Sequence, residues 1–159
     1  HNGRRRQRQM CIRDSAMVNF RMSSGIVGRL WTSSVAIGRQ HGFDIQVFGE
    51  KGGLKWVSEQ PNQLLYTRLG SRTEIIEKGE NKLYDDASRL SRVAIAHPEG
   101  FPLAVANIYV DIAASLNGDR RTNLPTAVDG LRSMAAVYAA TESATNSGQW
   151  TDARPPMFR

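Results

Sequence analysis

The feature that most constrains this chain is a change of period at Gly79. Before it, apolar residues alternate in short runs broken by glycine; after it they recur at helical spacing. Met17 to Met22 alternates, Ser23-Ser24-Gly25 turns, and Arg29 to Ala36 carries Leu30, Trp31 and Val35, which predicts a hairpin. Phe43 to Phe48 and Leu54 to Ser58 flank Gly49-Glu50-Lys51-Gly52-Gly53, a turn rich in residues tolerant of positive φ. Gln63 to Arg68 and Thr73 to Glu77 follow at turn spacing, so consecutive hairpins predict an antiparallel sheet.

Residues 84–93 fit a short helix or an ordered loop, and His97 before Pro98 is biased away from helix. Phe101, Val105, Ile108, Ile112 and Leu116 then place one apolar face on a helix that Pro102 can start and Asn117-Gly118 can stop. In a second helix Thr126 is the expected N-cap with Asp129 three residues on. Val128, Leu131, Ala135 and Tyr138 form the expected buried stripe, and Ser147-Gly148 the end. Strands first and helices after indicate an α+β domain: an antiparallel-rich open sheet packed on one face by helices, over residues 16–150, with an irregular tail at 151–159.

The 159 residues, 40% of them hydrophobic, suffice for one core. No apolar run approaches the roughly 20 residues of a membrane helix, and the Arg-rich start has no signal-peptide pattern, so a soluble cytoplasmic product is expected. Cys11 is the one cysteine, and three histidines at unrelated spacings do not make a structural zinc site. The net charge of +6 is concentrated in Arg4, Arg5, Arg6, Arg8 and Arg13; beyond Ser15 sixteen bases face fourteen acids. Taken alone, such an arm on a near-neutral body reads as a nucleic-acid tether. However, Arg5-Arg6-Gln7-Arg8-Gln9-Met10-Cys11-Ile12-Arg13-Asp14-Ser15 matches one translated frame of a transposase-type sequencing adapter, so residues 1–15 are read as adapter-derived and no nucleic-acid partner is expected.

Six segments carry a family likeness, in family order. They are Gly25-Ile26-Val27-Gly28, Ser34-Val35-Ala36-Ile37-Gly38, the run from Val47 to Trp56, His97-Pro98-Glu99-Gly100, Ala106-Asn107-Ile108-Tyr109 and Pro125-Thr126-Ala127-Val128-Asp129-Gly130. Together they resemble the C-terminal domain of the Gfo/Idh/MocA oxidoreductases over about residues 17–150. The resemblance implies a parent enzyme whose N-terminal Rossmann domain binds NAD or NADP and which acts on a sugar, inositol or related polyol. It also implies homo-oligomerisation through the open sheet. The present sequence contains no G-x-G-x-x-G after a strand. The family's catalytic Lys in a Glu-Lys-Pro context and its Asp-x-x-x-His pair find no match, because Lys51 follows a Glu but precedes Gly52. The resemblance therefore describes a fragment, torn from its N-terminal half, that should not turn over alone and holds no catalytic residue or nicotinamide. A stand-alone, non-catalytic homo-oligomerising module is the alternative.

His97 and Glu99 are the substrate-binding candidates, since the resemblance sets their loop near the domain interface, where a fixed imidazole could meet a polyol hydroxyl. The competing reading is a proline-held loop whose histidine bonds backbone. His41 reads as a loop residue, and Gly49 to Gly53 as a hairpin turn rather than a phosphate nest. Asp129 reads as a cap, Gly130 as a site of close packing, and Asn107 and Tyr109 as closers of buried hydrogen bonds. Trp31 and Trp56 fit either a core or an oligomer-facing sheet.

Overall fold

A computed structural model describes residues 14–39, 41–80, 83–119 and 124–158. Residues 1–13 lie outside them; Asp14 and Ser15, the last two of the segment read as adapter-derived, are described, and Ser15 opens the first strand. The strands are β1 (Ser15–Arg21), β2 (Val27–Ser33), β3 (Asp44–Gly49), β4 (Gly52–Val57), β5 (Gln63–Arg68) and β6 (Thr73–Glu77). Three helices follow, α1 (Asp85–Leu90), α2 (Phe101–Leu116) and α3 (Ala127–Thr145), then a single 3-10 turn, Pro156–Phe158. The fold is α+β, with every strand pair antiparallel.

The described residues form two compact units: those up to Arg39 with those from Pro125 onward, and those between. The strands accordingly make two sheets rather than one, a β1-β2 hairpin and a four-stranded meander in the order β3-β4-β5-β6. β2 and β3 are joined by a connection in which Gly38 and Gly42 have positive φ.

In the first unit Phe20 pairs with Gly28, where an added Cβ would meet the ring at 2.1 Å; the glycine gives the ring a place to lie. Thr126 and Asp129 cap α3 reciprocally: Asp129 N–H donates to Thr126 Oγ1 at 3.3 Å and Thr126 N–H to Asp129 Oδ2 at 2.9 Å. The Thr126 N–H and the Thr126 hydroxyl, both donating to Asp129 Oδ2, hold that carboxyl below its ordinary range. The buried face of α3 differs from the expected stripe. Ala139 is buried with Ala135 and Ser143 half-buried, while Val128, Leu131 and Tyr138 are exposed. Positions i, i+4 and i+8 carry small side chains, and these form the inward line. Gly130 does not meet the expected close packing, since a Cβ there would find open space.

In the second unit the register lines up Ile45, Trp56, Leu64 and Ile76 across four strands, with Val47, Leu54 and Tyr66 beside them on the same face. Trp56 is half-buried, edge-on to Phe43 at 5.9 Å, and its Nε1 donates to Pro61 O at 3.1 Å. Trp31, in the other sheet, is exposed opposite Met17. The β3–β4 turn closes tightly, Gly49 opposite Gly52, without positive φ at any of its glycines. Gly52 is required for another reason: a Cβ there would lie 2.5 Å from the backbone oxygen of Thr67 on β5. The apolar stripe of α2 is half-buried only at Val105, and its end members Phe101 and Leu116 are largely exposed.

Candidate functional site

The candidate residues sit on the loop between α1 and α2, and one end of the four-stranded sheet holds that loop. Asn62 immediately precedes β5 and Lys78 immediately follows β6, and Lys78 N–H donates to Asn62 O at 2.9 Å, extending the ladder by one rung. From that rung both side chains reach the loop. Asn62 Oδ1 accepts from Glu99 N–H at 3.1 Å, and Lys78 Nζ donates to Val93 O, Ala94 O and Glu99 Oε1 at 2.9, 3.3 and 3.0 Å. Gly79 has a positive φ of 80°, and a Cβ added there would make only ordinary van der Waals contact with Ile95.

Glu99 Oε1 also accepts the backbone N–H groups of Arg92 and Val93, at 2.7 and 2.6 Å. The Lys78 and Glu99 side chains are each 12% exposed, which makes this pair a largely desolvated one. Burial alone would push the Glu99 carboxyl up. The Val93 donor, the Lys78 ammonium and the Arg92 donor outweigh it and hold the carboxyl below the ordinary range. The sequence candidates His97 and Glu99 thus share one loop, with Glu99 Oε1 engaged by protein donors.

His97 occupies the end of a β-turn closed by its own N–H on Ala94 O at 3.1 Å. Ala96, in the third position, has φ of 67°, a left-handed conformation that costs a non-glycine residue roughly 1 kcal/mol or more. The ring is exposed, and its Nδ1 lies 3.2 Å from Ile95 O. A carbonyl can only accept, so a hydrogen bond here requires Nδ1 as the donor, which in the neutral ring leaves Nε2 its lone pair.

Beside the loop, Asn107 of α2 accepts from Arg92 Nε and donates to Leu90 O at 3.1 Å, tying the start of the loop to the helix. Arg89 and Asp111 add an ion pair at 2.6 Å, whose hydrogen bond raises the Arg89 pKa. Asn107 closes structural hydrogen bonds, as the sequence suggests, whereas Tyr109 is exposed. His41 lies in the loop before β3; next to it Gly42 N–H donates to Glu59 Oε1 at 2.7 Å and lowers that carboxyl's pKa. Lys78, Asn62 and Ala96 carried no sequence signal: a lysine after a strand, a turn asparagine and an alanine look ordinary until the chain closes on itself.

Residues 1–152 match the family profile described as the oxidoreductase family, C-terminal alpha/beta domain, of Gfo/Idh/MocA proteins. The chain belongs to this family. Its matched range takes in the Arg-rich segment as well as the described domain. An uncharacterized oxidoreductase, YfiI of Bacillus subtilis (strain 168), is 28% identical over 149 residues, covering 89% of this chain and 38% of the relative. Among solved structures, an oxidoreductase from Sinorhizobium meliloti superposes with a TM-score of 0.80 at 35% identity, over 87% of this chain and 41% of that one. An inositol dehydrogenase homolog from Azotobacter vinelandii, complexed with NADH and myo-inositol, gives a TM-score of 0.81 at 31% identity, over 87% and 39%. The chain thus spans 38% to 41% of the length of these relatives.

Among the described residues no parallel strand leads through a glycine-rich turn into a helix, the arrangement that cradles the pyrophosphate of a dinucleotide. A pyrophosphate needs free N–H groups at a helix start entered through a glycine-rich turn from a parallel strand, and all strand pairs here are antiparallel. The N-terminus of α3 is filled by the Asp129 carboxylate and α1 opens with Asp85 and Asp86, whereas α2 starts after Gly100 with no side-chain cap and no acid in its first turn. Among the described residues no three His, Cys, Asp or Glu side chains gather for a metal, and no helix is long and apolar enough to cross a membrane.

Proposed function

We propose that these residues form the substrate-side and oligomerisation domain of an NAD(P)-dependent oxidoreductase acting on a sugar, inositol or related polyol. On this reading the nicotinamide and the catalytic Lys, Asp and His belong to a Rossmann half outside the chain, and the chain alone neither binds the cofactor nor turns over. Family membership and the likeness to an inositol dehydrogenase homolog support the reaction class and NAD as the cofactor of the parent enzyme. One observation carries the assignment of a contact to this domain: an exposed imidazole whose Nδ1 is engaged by Ile95 O, leaving Nε2 as an acceptor for a hydroxyl proton. His97 is the direct substrate contact and Glu99 completes the same loop. Oligomerisation would use the meander's apolar face, where Ile45, Val47 and Leu54 remain substantially exposed. The test is a fluorescence titration of the chain with NADH. No saturable signal is expected; a micromolar dissociation constant would overturn the division of labour.

A further inference from the structure

We propose that Lys78, with Asn62 and Glu99, acts as a positioning set that fixes the proton of His97 on Nδ1 and so keeps Nε2 an acceptor; its bearing on substrate rests on the reading of His97 given above. The turn that carries His97 contains a left-handed Ala96, which an unsupported chain would leave. Its first residue, Ala94, has its carbonyl bonded both by His97 N–H within the turn and by Lys78 Nζ from outside it.

Lys78 also takes the preceding carbonyl, of Val93, while Glu99 Oε1 takes the Val93 amide, so the peptide units entering the turn are gripped from both sides. Asn62 Oδ1 fixes the residue leaving it through Glu99 N–H. Lys78 and Asn62 are themselves joined by a backbone rung at the end of the sheet, so the grip is referred to the most regular part of the unit. With both flanks of the turn held, the carbonyl of Ile95 faces the ring's Nδ1. The neutral histidine ring in water prefers its proton on Nε2, and a carbonyl held opposite Nδ1 favours the other tautomer.

No group in this set touches substrate under the proposal. Lys78 acts through the turn, and a lysine at the end of a strand is otherwise an unremarkable surface residue. A purely structural role would change the melting temperature without selecting a tautomer. The two roles are therefore separable by a spectroscopic signature.

The experiment is long-range proton–nitrogen NMR of the imidazoles in the intact chain near pH 8, with His97→Gln used to assign the resonance and His41 as internal reference. The wild type is expected to show His97 mainly as the Nδ1–H form. Lys78→Met is expected to lower the Nδ1–H to Nε2–H ratio about five-fold, the population change carried by one net hydrogen bond. Lys78→Arg, which keeps charged donors, should restore much of it. If Lys78→Met melts below the measuring temperature, Glu99→Gln, which keeps the carbonyl acceptor but loses the ion pair, should shift the ratio in the same direction. A wild type already in the Nε2–H form, or a ratio unmoved in a folded Lys78→Met or Glu99→Gln protein, would overturn the proposal. A ratio that moves as expected, while His97→Gln leaves polyol affinity of the parent enzyme unchanged, would uphold the positioning set and sink the substrate reading instead.

Discussion

The two ends of the four-stranded sheet are built by different means. At the end where β3 and β4 meet, backbone pairing and a pair of hydroxyls close the sheet: Gly49 faces Gly52, Leu69 N–H donates to Lys51 O at 2.9 Å, the Thr67 and Thr73 hydroxyls share a hydrogen bond at 2.8 Å, and a Cβ on Gly52 would lie 2.5 Å from Thr67 O. A shallow recess of about 480 Å³, lined by Val47, Lys51, Leu54 and Tyr66 among others, opens there. At the opposite end Asn62 and Lys78 send side chains off the sheet, and a desolvated ion pair with three further acceptor or donor contacts fastens a loop with a left-handed alanine. The comparison teaches that a desolvated ion pair and several side-chain bonds collect where a loop must be held in a conformation it would not adopt unaided, whereas the β3–β4 turn closes by backbone pairing between glycines.

That contrast predicts a ranking of effects. Gly52→Ala should be the most damaging, costing about 3 kcal/mol, because the new methyl meets backbone that cannot step aside; denaturant melting checks it, and a loss below about 1 kcal/mol would show that β4 and β5 can separate more easily than their register implies. Glu99→Ala should follow at about 2 kcal/mol, since it strands a desolvated ammonium and two N–H donors. Its amide exchange should quicken at Arg92 and Val93 and stay slow at Leu69; equal quickening at both ends would erase the distinction.

Acid should reach the same end more gently. A carboxyl with its folded pKa below the unfolded value stabilises fully above that unfolded value, about 4.5 for Glu99, and loses the contribution as pH falls through the folded one. The amide shifts of Arg92 and Val93 should therefore move together with a midpoint below 4.5, and a midpoint above it would mean that burial, not bonding, governs the group. Smallest of all, Lys51→Ala at the tip of the β3–β4 turn should change stability by no more than about 0.5 kcal/mol, against a clear loss for Lys78→Ala; parity between the two lysines would break the comparison.

Local chemistry made much of this fold legible before any coordinates. Alternation and glycine-rich turns located six strands, and Pro102, Thr126 with Asp129, and the Asn117-Gly118 and Ser147-Gly148 stops located the long helices. Each of those signals acts within a few residues. What stayed hidden depends on distance along the chain: Glu99 N–H meets Asn62 across 37 residues and Lys78 Nζ meets Glu99 across 21, and neither pairing leaves a periodic trace. Gly52 was recognised as special but for the wrong cause, close approach to Thr67 O rather than positive φ. His97 and Glu99 stood out in the sequence through their motif, whereas the lysine and asparagine that hold their loop did not.

The central claim, that these residues are the substrate-side half of a two-domain oxidoreductase, is tested most directly by a long read of the source DNA across the codon for Ala16. The account predicts an uninterrupted upstream frame encoding a G-x-G-x-x-G turn, a lysine in a Glu-Lys-Pro context and an Asp-x-x-x-His pair. A genomic frame that begins with the Arg-rich segment itself would contradict it.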